Sequence, residues 1–220
     1  MKIDKEKFDH VFEIVTAILL GITALLTSYA SWQGSLYGGN QSTKYTKGSA
    51  MVQEANSLFS DATNSLNSDM QIYNEINDMR IDLTFATEKG NQDDIDRLTW
   101  KLNEMYTNSV SQELSDAIDW SDAQEEYVSP FEMEGFAESY FTDASQMYSD
   151  GYAMIEDGQD DNHKGDVLGL STVIYSIVLF LLGIVGTFKS DKLKVVIAAV
   201  SVVALIFALV TMVSIPMITL

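Results

Sequence analysis

Cysteine is absent from this 220-residue sequence, and basic residues are scarce. The first absence excludes a disulfide framework and thiol chemistry, and it removes redox usage as a guide to the compartment. The second leaves 13 Lys and Arg against 32 Asp and Glu, a formal net charge of −19. So negative a chain opposes binding to nucleic acid or to anionic lipid, and we expect no nucleic-acid partner.

Motifs of catalysis and metal binding are also missing. The sequence has no phosphate-binding loop, no GxSxG, no HExxH and no strand pattern of a cofactor-binding βαβ unit. The segment DGQDDNHKGD clusters Asp157, Asp160, Asp161 and Asp166. However, Lys164 occupies a position that a calcium-binding loop gives to a ligand. We therefore expect no enzymatic activity, no cofactor and no specific metal site.

Three long apolar runs dominate what the sequence does contain. They cover residues 11–32, 166–188 and 195–216. Each has roughly the 20 residues that a helix needs to cross a hydrocarbon core of ~30 Å. A buried helix of a soluble protein could imitate one such run, but three, two of them in tandem, indicate a bilayer. The sequence therefore predicts an all-α, multi-pass membrane protein.

The first run begins like a secretory signal peptide. Lysines precede it, and the residues SYA at positions 28–30 resemble a cleavage site. Asp9 and Glu13 oppose that interpretation, because they place carboxylates where the positive region of a signal passes into its apolar core. We expect a retained anchor.

Lysines predict the orientation of the spans. One group precedes the first run and another lies in the short link 189–194, namely Lys2, Lys5, Lys7, Lys189, Lys192 and Lys194. The positive-inside rule places both groups in the cytoplasm. Residues 1–10 and 189–194 are then cytoplasmic, whereas residues 33–165 and 217–220 are extracytoplasmic. His10 and His163 fall on opposite faces of the cell membrane, which excludes a histidine-based metal site or triad within one chain.

The region 33–165 holds most of the charge, with 26 acidic and seven basic residues. Breaks at Gly90 and Pro130 divide it into predicted helices at about 41–88, 93–127 and 131–157. No proline lies in residues 33–41, so the first of these helices is able to continue directly from the first span. One stripe repeats strictly every seven residues: Met133, Ala137, Tyr140, Ala144, Met147, Gly151 and Met154.

This repeat is typical of left-handed coiled packing, so we expect an antiparallel, coiled-coil-like ectodomain. Narrow stripes rich in Ala and Ser bury little area per helix. We therefore expect self-association into a homo-oligomer.

One face of the first span carries six polar residues and Leu20 at three- or four-residue spacing: Asp9, Glu13, Thr16, Leu20, Thr23, Thr27 and Ser31. Polar groups in hydrocarbon are costly unless they are paired, so such a face indicates a function or a helix contact. In a symmetric oligomer it would line a water-filled axis, with Glu13 and Asp9 as acidic rings that favour cations. Alternatively, it is the seam between packed helices. Residue patterns leave both interpretations open.

Glycines of the second span are candidates for close helix packing. Gly165 and Gly169 form a GxxxG pair at one end, and Gly183 and Gly186 lie near the other. The third span has almost no polar residue, and we expect it to face lipid.

The stretch around the end of the first span supports a resemblance. It carries Trp32, Gln33, Gly39, Gln41, Ser42 and Tyr45. With the overall layout of spans, it resembles an uncharacterised family of prokaryotic three-span membrane proteins with a long helical extracytoplasmic region. The resemblance implies the same helical plan and brings no established activity.

Two hypotheses for function follow. The first is a cation-conducting pore lined by the first span. The alternative is a structural or sensory envelope protein whose ectodomain binds a partner. The expected partners are other copies of the chain, the lipid bilayer and, for the pore, cations.

Overall fold

A computed structural model describes residues 5–219 of the chain. Within that range the secondary structure is helical, and no residue is assigned to a strand. The elements are α1 (Lys5–Lys89), α2 (Gln92–Asn108), α3 (Gln112–Asp122), a single 3₁₀ turn (Pro130–Glu132), α4 (Phe136–Val185) and α5 (Asp191–Val213). The predicted all-α class is confirmed.

Three of these helices are long and apolar enough to cross a membrane. They are α1, α4 and α5, which contain the three apolar runs. This agrees with the prediction of a multi-pass membrane protein. Of the predicted cytoplasmic lysines, Lys2 lies outside the described residues, together with the rest of residues 1–4 and Leu220. For Lys5 the structure describes the backbone and not the side chain.

The chain forms two compact units. One, here the apolar unit, comprises residues 5–48 and 153–219. The other, here the polar unit, is Ser49–Tyr152. The polar unit holds 22 acidic and four basic residues, so most of the negative charge belongs to it.

Helix α1 is continuous over the predicted span 11–32 and the predicted second helix 41–88. Gly38 and Gly39 lie within it without interrupting it, and no proline removes a backbone donor. The helix ends before Gly90, whose φ of +69° is a conformation that glycine adopts readily. Asn91 then caps α2 by accepting a hydrogen bond from the Asp94 amide.

The predicted helix 93–127 is two helices in the structure. Helix α2 ends at Asn108, and Ser111 caps α3 by accepting a hydrogen bond from the Leu114 amide at 3.0 Å. The spacing of the apolar residues changes at this break, from Leu98, Leu102 and Met105 before it to Val110, Leu114 and Ala117 after it. A single helix could not turn both sets of residues toward one core, so the chain interrupts the helix there.

The predicted helix 131–157 and the span 166–188 also differ from the structure, where both belong largely to α4. Pro130 starts only a 3₁₀ turn, and Gly135 at φ +83° separates that turn from α4. The acidic segment 157–166, which the sequence suggests is a loop, is helical. Helix α5 begins at Asp191, within the predicted turn 189–194, and it ends at Val213, shortly before Pro216.

The core of the polar unit is a cluster of apolar side chains from all four of its helical segments. Its buried members are Tyr73, Ile76, Leu102, Leu114, Ala117, Ile118 and Phe136. Arg80 links three helices at the edge of this core by hydrogen bonds. Its two guanidinium nitrogens donate to both oxygens of Asp122 at 3.0 and 2.7 Å, and one of them also donates to the Tyr106 hydroxyl at 2.7 Å. This fork joins α1 to α2 and α3.

A buried carboxylate lies on α1 within the same unit. Ala55, Ala62, Asp69 and Ile76 follow each other at seven-residue intervals, and all four are buried. Asp69 accepts a hydrogen bond from the Tyr140 hydroxyl at 2.5 Å and another from the Ser111 hydroxyl. The cap of α3 and the first turns of α4 are thereby tied to α1.

We expect Tyr140→Phe to destabilise the polar unit by about 1–3 kcal/mol, because it removes one of the hydroxyl donors of buried Asp69. The loss should depend on pH. Burial, and then the hydrogen bond to Asp69, raise the pKa of Tyr140 above its ordinary value. The folded chain therefore keeps this proton when the unfolded chain, with a pKa of about 10, loses it.

The stabilisation from Tyr140 is thus fully present below pH ~10 and decreases as the pH rises further. Urea unfolding of the full chain in detergent, followed by circular dichroism from pH 8 to 11, measures this. The fall in unfolding free energy above pH ~10 should be shallower in Tyr140→Phe than in the control Tyr29→Phe, at an exposed position of α1 outside the polar unit. Equal slopes would contradict the assigned role of Tyr140.

Candidate functional site in the apolar unit

The three apolar helices meet in one cluster of buried side chains. It contains Ala30 and Tyr37 from α1, Leu168, Tyr175, Val178 and Leu182 from α4, and Leu205, Ala208 and Met212 from α5. Leu19, Leu20 and Leu26 of α1 pack against it from the side. The face of α1 that carries these residues is therefore turned toward α4 and α5 of the same chain.

Part of the predicted polar face lies on this inward side. Thr16 is buried, Thr23 has no exposed surface and Thr27 is half-buried. The Thr23 hydroxyl donates to the Leu19 carbonyl at 2.7 Å, and the Thr27 hydroxyl donates to the Thr23 carbonyl at 2.7 Å. These hydroxyls are satisfied by their own helix, which removes the cost of burying them.

Asp9 is placed at the end of the same face. Its Oδ1 lies 2.8 Å from the Lys194 ammonium of α5. The Lys194 side chain is only 14% exposed, and its ammonium also lies 6.0 Å from the centre of the Phe12 ring. An ion pair with this little exposure links α1 to the start of α5.

The remaining two residues of the predicted face are not brought to the cluster. Glu13 and Ser31 are both exposed on α1. The seven-residue set is therefore divided: Thr16, Leu20, Thr23 and Thr27 face the helices of the chain, Asp9 pairs across to α5, and Glu13 and Ser31 face outward.

Gln33 and Tyr37 continue the inward face beyond Ala30 and hold the segment after α5. The Gln33 amide donates to the Ile218 carbonyl at 3.1 Å and accepts from the Ile218 amide at 2.9 Å. The Tyr37 hydroxyl donates to the Pro216 carbonyl at 2.6 Å. Gln33 is 1% exposed. We call this set of three hydrogen bonds the tail clasp.

Helices α4 and α5 are joined by polar contacts as well. The hydroxyls of Ser171 and Thr211 lie 3.0 Å apart, and the Tyr175 hydroxyl donates to the Met212 sulfur at 3.7 Å. Ser171 and Tyr175 are fully buried. The predicted lipid-facing third span therefore has one face that packs on α4, while its opposite face is exposed.

Of the four glycines proposed for helix packing, one lies in a close contact. A Cβ placed on Gly165 would lie 3.6 Å from the Cβ of Tyr37, and one on the facing Gly34 would lie 3.6 Å from the Cβ of Leu168. Cβ atoms placed on Gly169, Gly183 and Gly186 would meet no other described atom within 4 Å. Those three positions are open.

The acidic segment 157–166 packs against α1 of the apolar unit. Lys44 lies 2.8 Å from Asp161, whose side chain is 7% exposed. Gly158 permits this approach, since a Cβ there would lie 2.9 Å from the Tyr45 ring and 3.3 Å from the Cβ of Lys44.

A further ion pair within this segment joins Lys164 to Asp160. The hydrogen bond from Lys164, at 2.5 Å, lowers the pKa of the Asp160 carboxyl. No group of three or more His, Cys, Asp or Glu side chains among residues 5–219 is arranged to hold a metal ion.

Outside the cluster, the three helices expose large apolar side chains. They include Val11, Ile14, Ile18, Leu25, Val173, Ile177, Phe180, Val196, Val203, Phe207 and Val210. Soluble monomeric proteins rarely expose so large an apolar surface to water. A surface of this kind is usually covered by another molecule or by lipid. The composition of this surface agrees with helices that contact a bilayer.

The polar unit has a separate groove between α1 and α2. It has a volume of about 450 Å³ and is lined by Met79, Met105 and Trp100 together with Glu75, Asp78, Glu104 and Lys101. Trp100 is 63% exposed. Its indole is therefore open to solvent beside two methionines and three carboxylates.

Sequence reasoning missed the tail clasp and the buried Asp69. A signal existed for both. Ala30, Gln33 and Tyr37 continue the three- and four-residue spacing of the inward face, and Asp69 lies seven residues after Ala62. In both cases the residue is polar, so an apolar stripe drawn through neighbouring positions passes over it.

Comparison with known proteins adds nothing to this geometry. No family model, curated protein or solved structure matches the chain. Inference about function therefore depends on the residues and contacts described above.

We expect Gln33→Leu to release the tail clasp. It leaves the amide and carbonyl of Ile218 without their partner, which costs about 1–3 kcal/mol for buried polar groups. The measurement is limited proteolysis of the full chain in detergent: cleavage after residue 213 should become at least several-fold faster. Gln53→Leu, at an exposed position of α1, is the control. Unchanged cleavage in Gln33→Leu would mean that the clasp does not hold the tail.

Proposed function

We propose that this chain is a homo-oligomeric integral membrane protein of the cell envelope. In this proposal α1, α4 and α5 anchor it, and the polar unit is an acidic ectodomain with a structural or sensory role. The anchor does not conduct ions, and the ectodomain binds a partner. The role is not enzymatic.

One observation carries the proposal: five of the seven residues of the predicted polar face of α1 are engaged within the chain. Thr16 and Thr23 are buried against α4 and α5, Asp9 pairs with Lys194, and Gln33 binds the main chain of Ile218. A residue that lines a water-filled axis must instead be accessible from that axis. Buried, satisfied hydroxyls are typical of a helix seam, and this favours the anchor over the pore.

The lysine distribution supports the proposed orientation. Lys7, Lys189 and Lys192 flank the apolar helices on the side that the positive-inside rule assigns to the cytoplasm. The polar unit, with 22 acidic and four basic residues, then lies outside. Its buried heptad on α1 and the repeat on α4 support coiled-coil-like packing of these two helices.

The groove around Trp100 supports partner binding by the ectodomain. Its lining combines Trp100 and two methionines with three carboxylates and one lysine, which suits a partner that presents a basic, partly apolar segment. Exposed Trp residues in such settings are frequent hot spots of interfaces.

A cation pore is the second candidate, and Glu13 is the observation that favours it. Its carboxylate is exposed on an apolar helix, where an unpaired charge is costly unless it meets water or headgroups. In a pore formed by several copies, Glu13 would have to face the shared axis.

Flux measurements on the purified chain in liposomes separate the two candidates. The anchor proposal predicts no cation flux above that of protein-free liposomes. Flux that falls at least several-fold in Glu13→Gln, but not in the control Ser28→Ala at another exposed position of α1, would overturn the anchor proposal in favour of the pore.

Because the chain has no cysteine, its orientation can be tested with single-cysteine variants. We expect a membrane-impermeant maleimide added to intact cells to label Ser57→Cys in the polar unit. Ser190→Cys, in the link before α5, should be labelled only after the cells are opened. The reverse pattern would mean that the acidic unit is cytoplasmic, and the proposed envelope role would then be wrong.

A further inference from the structure

The segment of the polar unit nearest its ends is a pair of helices with one unusual side. Here α1 and α4 pack through small buried residues, namely Ala55 and Ala62 on α1 and Ala144 and Gly151 on α4. Beside this seam lies a row of aromatic rings. We call this side the aromatic face and define it by Val52, Phe59, Phe141, Ser145, Tyr148 and Tyr152.

Ring contacts show that these side chains form one surface. The ring of Phe59 lies 6.0 Å from that of Phe141 and 6.2 Å from that of Tyr148. The rings of Tyr148 and Tyr152 are 4.7 Å apart. Tyr148 is 38% exposed and Tyr152 is 51% exposed, so the row is open to solvent.

Charge is segregated away from this face with the same period on both helices. Val52 and Phe59 are seven residues apart, and so are Phe141 and Tyr148. Acidic residues follow each of these four positions by two residues, as Glu54, Asp61, Asp143 and Asp150. Two residues turn a helix by about 200°, so the carboxylates point away from the aromatic face.

The residues that fill the face between the rings are also uncharged. Asn56 and Thr63 on α1 and Ser145 on α4 lie within the row. A neutral aromatic strip is therefore maintained through a unit in which acidic residues outnumber basic ones by 22 to four.

From this pattern we infer that the aromatic face is the surface through which a second copy of the chain binds. The inference deepens the proposed function, since it names the interface of the proposed homo-oligomer. Two copies that met through any acidic side would bring like charges together, which is unfavourable. The aromatic face is the side of this helix pair that two identical, strongly negative units can share. A basic partner would be drawn instead to the carboxylates on the other side.

The small buried area between α1 and α4 also favours a second copy of the chain as the partner of the aromatic face. Two helices with Ala and Gly in their seam bury little apolar area, so the pair gains stability when a further pair covers its open side. A second copy supplies that pair, and four helices then enclose the rings of both chains. Exposed tyrosines provide a large contact area at a low cost in side-chain entropy.

A charge placed on the face tests the inference. We expect Tyr148→Glu to raise the dissociation constant of the oligomer at least tenfold, because it puts a carboxylate where the copies meet. Gln146→Glu adds the same charge on an exposed position away from the face and should leave the oligomer intact. The mass of the full chain in detergent, measured by native mass spectrometry over a range of concentrations, gives both results.

Cysteine cross-linking is an independent measurement that does not disturb the rings. Ser145→Cys lies on the face and its neighbour Gln146→Cys lies off it, and both positions are exposed in a chain that has no other cysteine. Oxidation or a short bismaleimide, applied to membranes, should convert Ser145→Cys to a species of twice the chain mass. Gln146→Cys should stay predominantly uncross-linked.

Several outcomes would overturn the inference. In native mass spectrometry, they are a wild-type chain that stays monomeric at all concentrations, or an oligomer whose dissociation constant Tyr148→Glu leaves unchanged. In cross-linking, they are equal yields for Ser145→Cys and Gln146→Cys, or a Ser145→Cys product whose mass is not twice that of the chain. If Tyr148→Glu fails to fold, the cysteine pair decides. The flux and maleimide-labelling experiments test the proposed function and do not depend on the aromatic face. A failure of the proposed function can therefore be distinguished from a failure of this inference.

Discussion

The need to satisfy polar groups inside an apolar helix cluster governs the arrangement of the apolar unit. Thr23 meets this need within its own helix, whereas Gln33 and Tyr37 require the main chain of Ile218 and Pro216. An unpaired amide or hydroxyl in such a setting costs several times what its hydrogen bond contributes. The tail after α5 is therefore held where its carbonyls and amide face α1. Apolar contacts alone would allow α5 to slide along its neighbours, and these directional bonds specify its register.

The polar unit applies the same constraint at one position of its seam. Ala55 and Ala62 allow α1 to lie close to α4, but small side chains contribute little burial energy and discriminate poorly between registers. Asp69 occupies the next heptad position, and its carboxylate must be met by the hydroxyls of Tyr140 and Ser111. Ser111 is at the same time the cap of α3. We interpret this network as the device that sets where α3 begins relative to α1, since a shift of one turn would leave a buried carboxylate without donors.

Much of the helical plan was readable from hydropathy and from turn chemistry, because both depend on local sequence. The three apolar runs and the helix break at Gly90 are of this kind. Features that depend on distant partners were not readable. The acidic segment at 157–166 has the composition of a loop, yet it is helical and places Asp161 against Lys44, a contact between residues more than a hundred positions apart. The pairing of Asp9 with Lys194 is equally non-local, because the two residues are 185 positions apart. Within the candidate site, spacing identified the face of α1 but not which of its residues are inward, because burial depends on where α4 and α5 lie.

In the helix pair that carries the aromatic face, acidic residues and aromatic rings lie on different sides of the helices. This separation limits the ways in which two copies of the chain could associate. A carboxylate follows Val52, Phe59, Phe141 and Tyr148 by two residues, which keeps these charges on the side away from the rings. At physiological salt, charges are screened over a distance of about 8 Å, so the carboxylates of one copy act weakly across a neutral strip but strongly at its rim. Contact through the rings is then favoured near the centre of the strip and opposed at its edges. In the proposed oligomer, that balance would align two helix pairs along their length and disfavour sideways displacement, since displacement in either direction would bring the acidic rows of the two copies together.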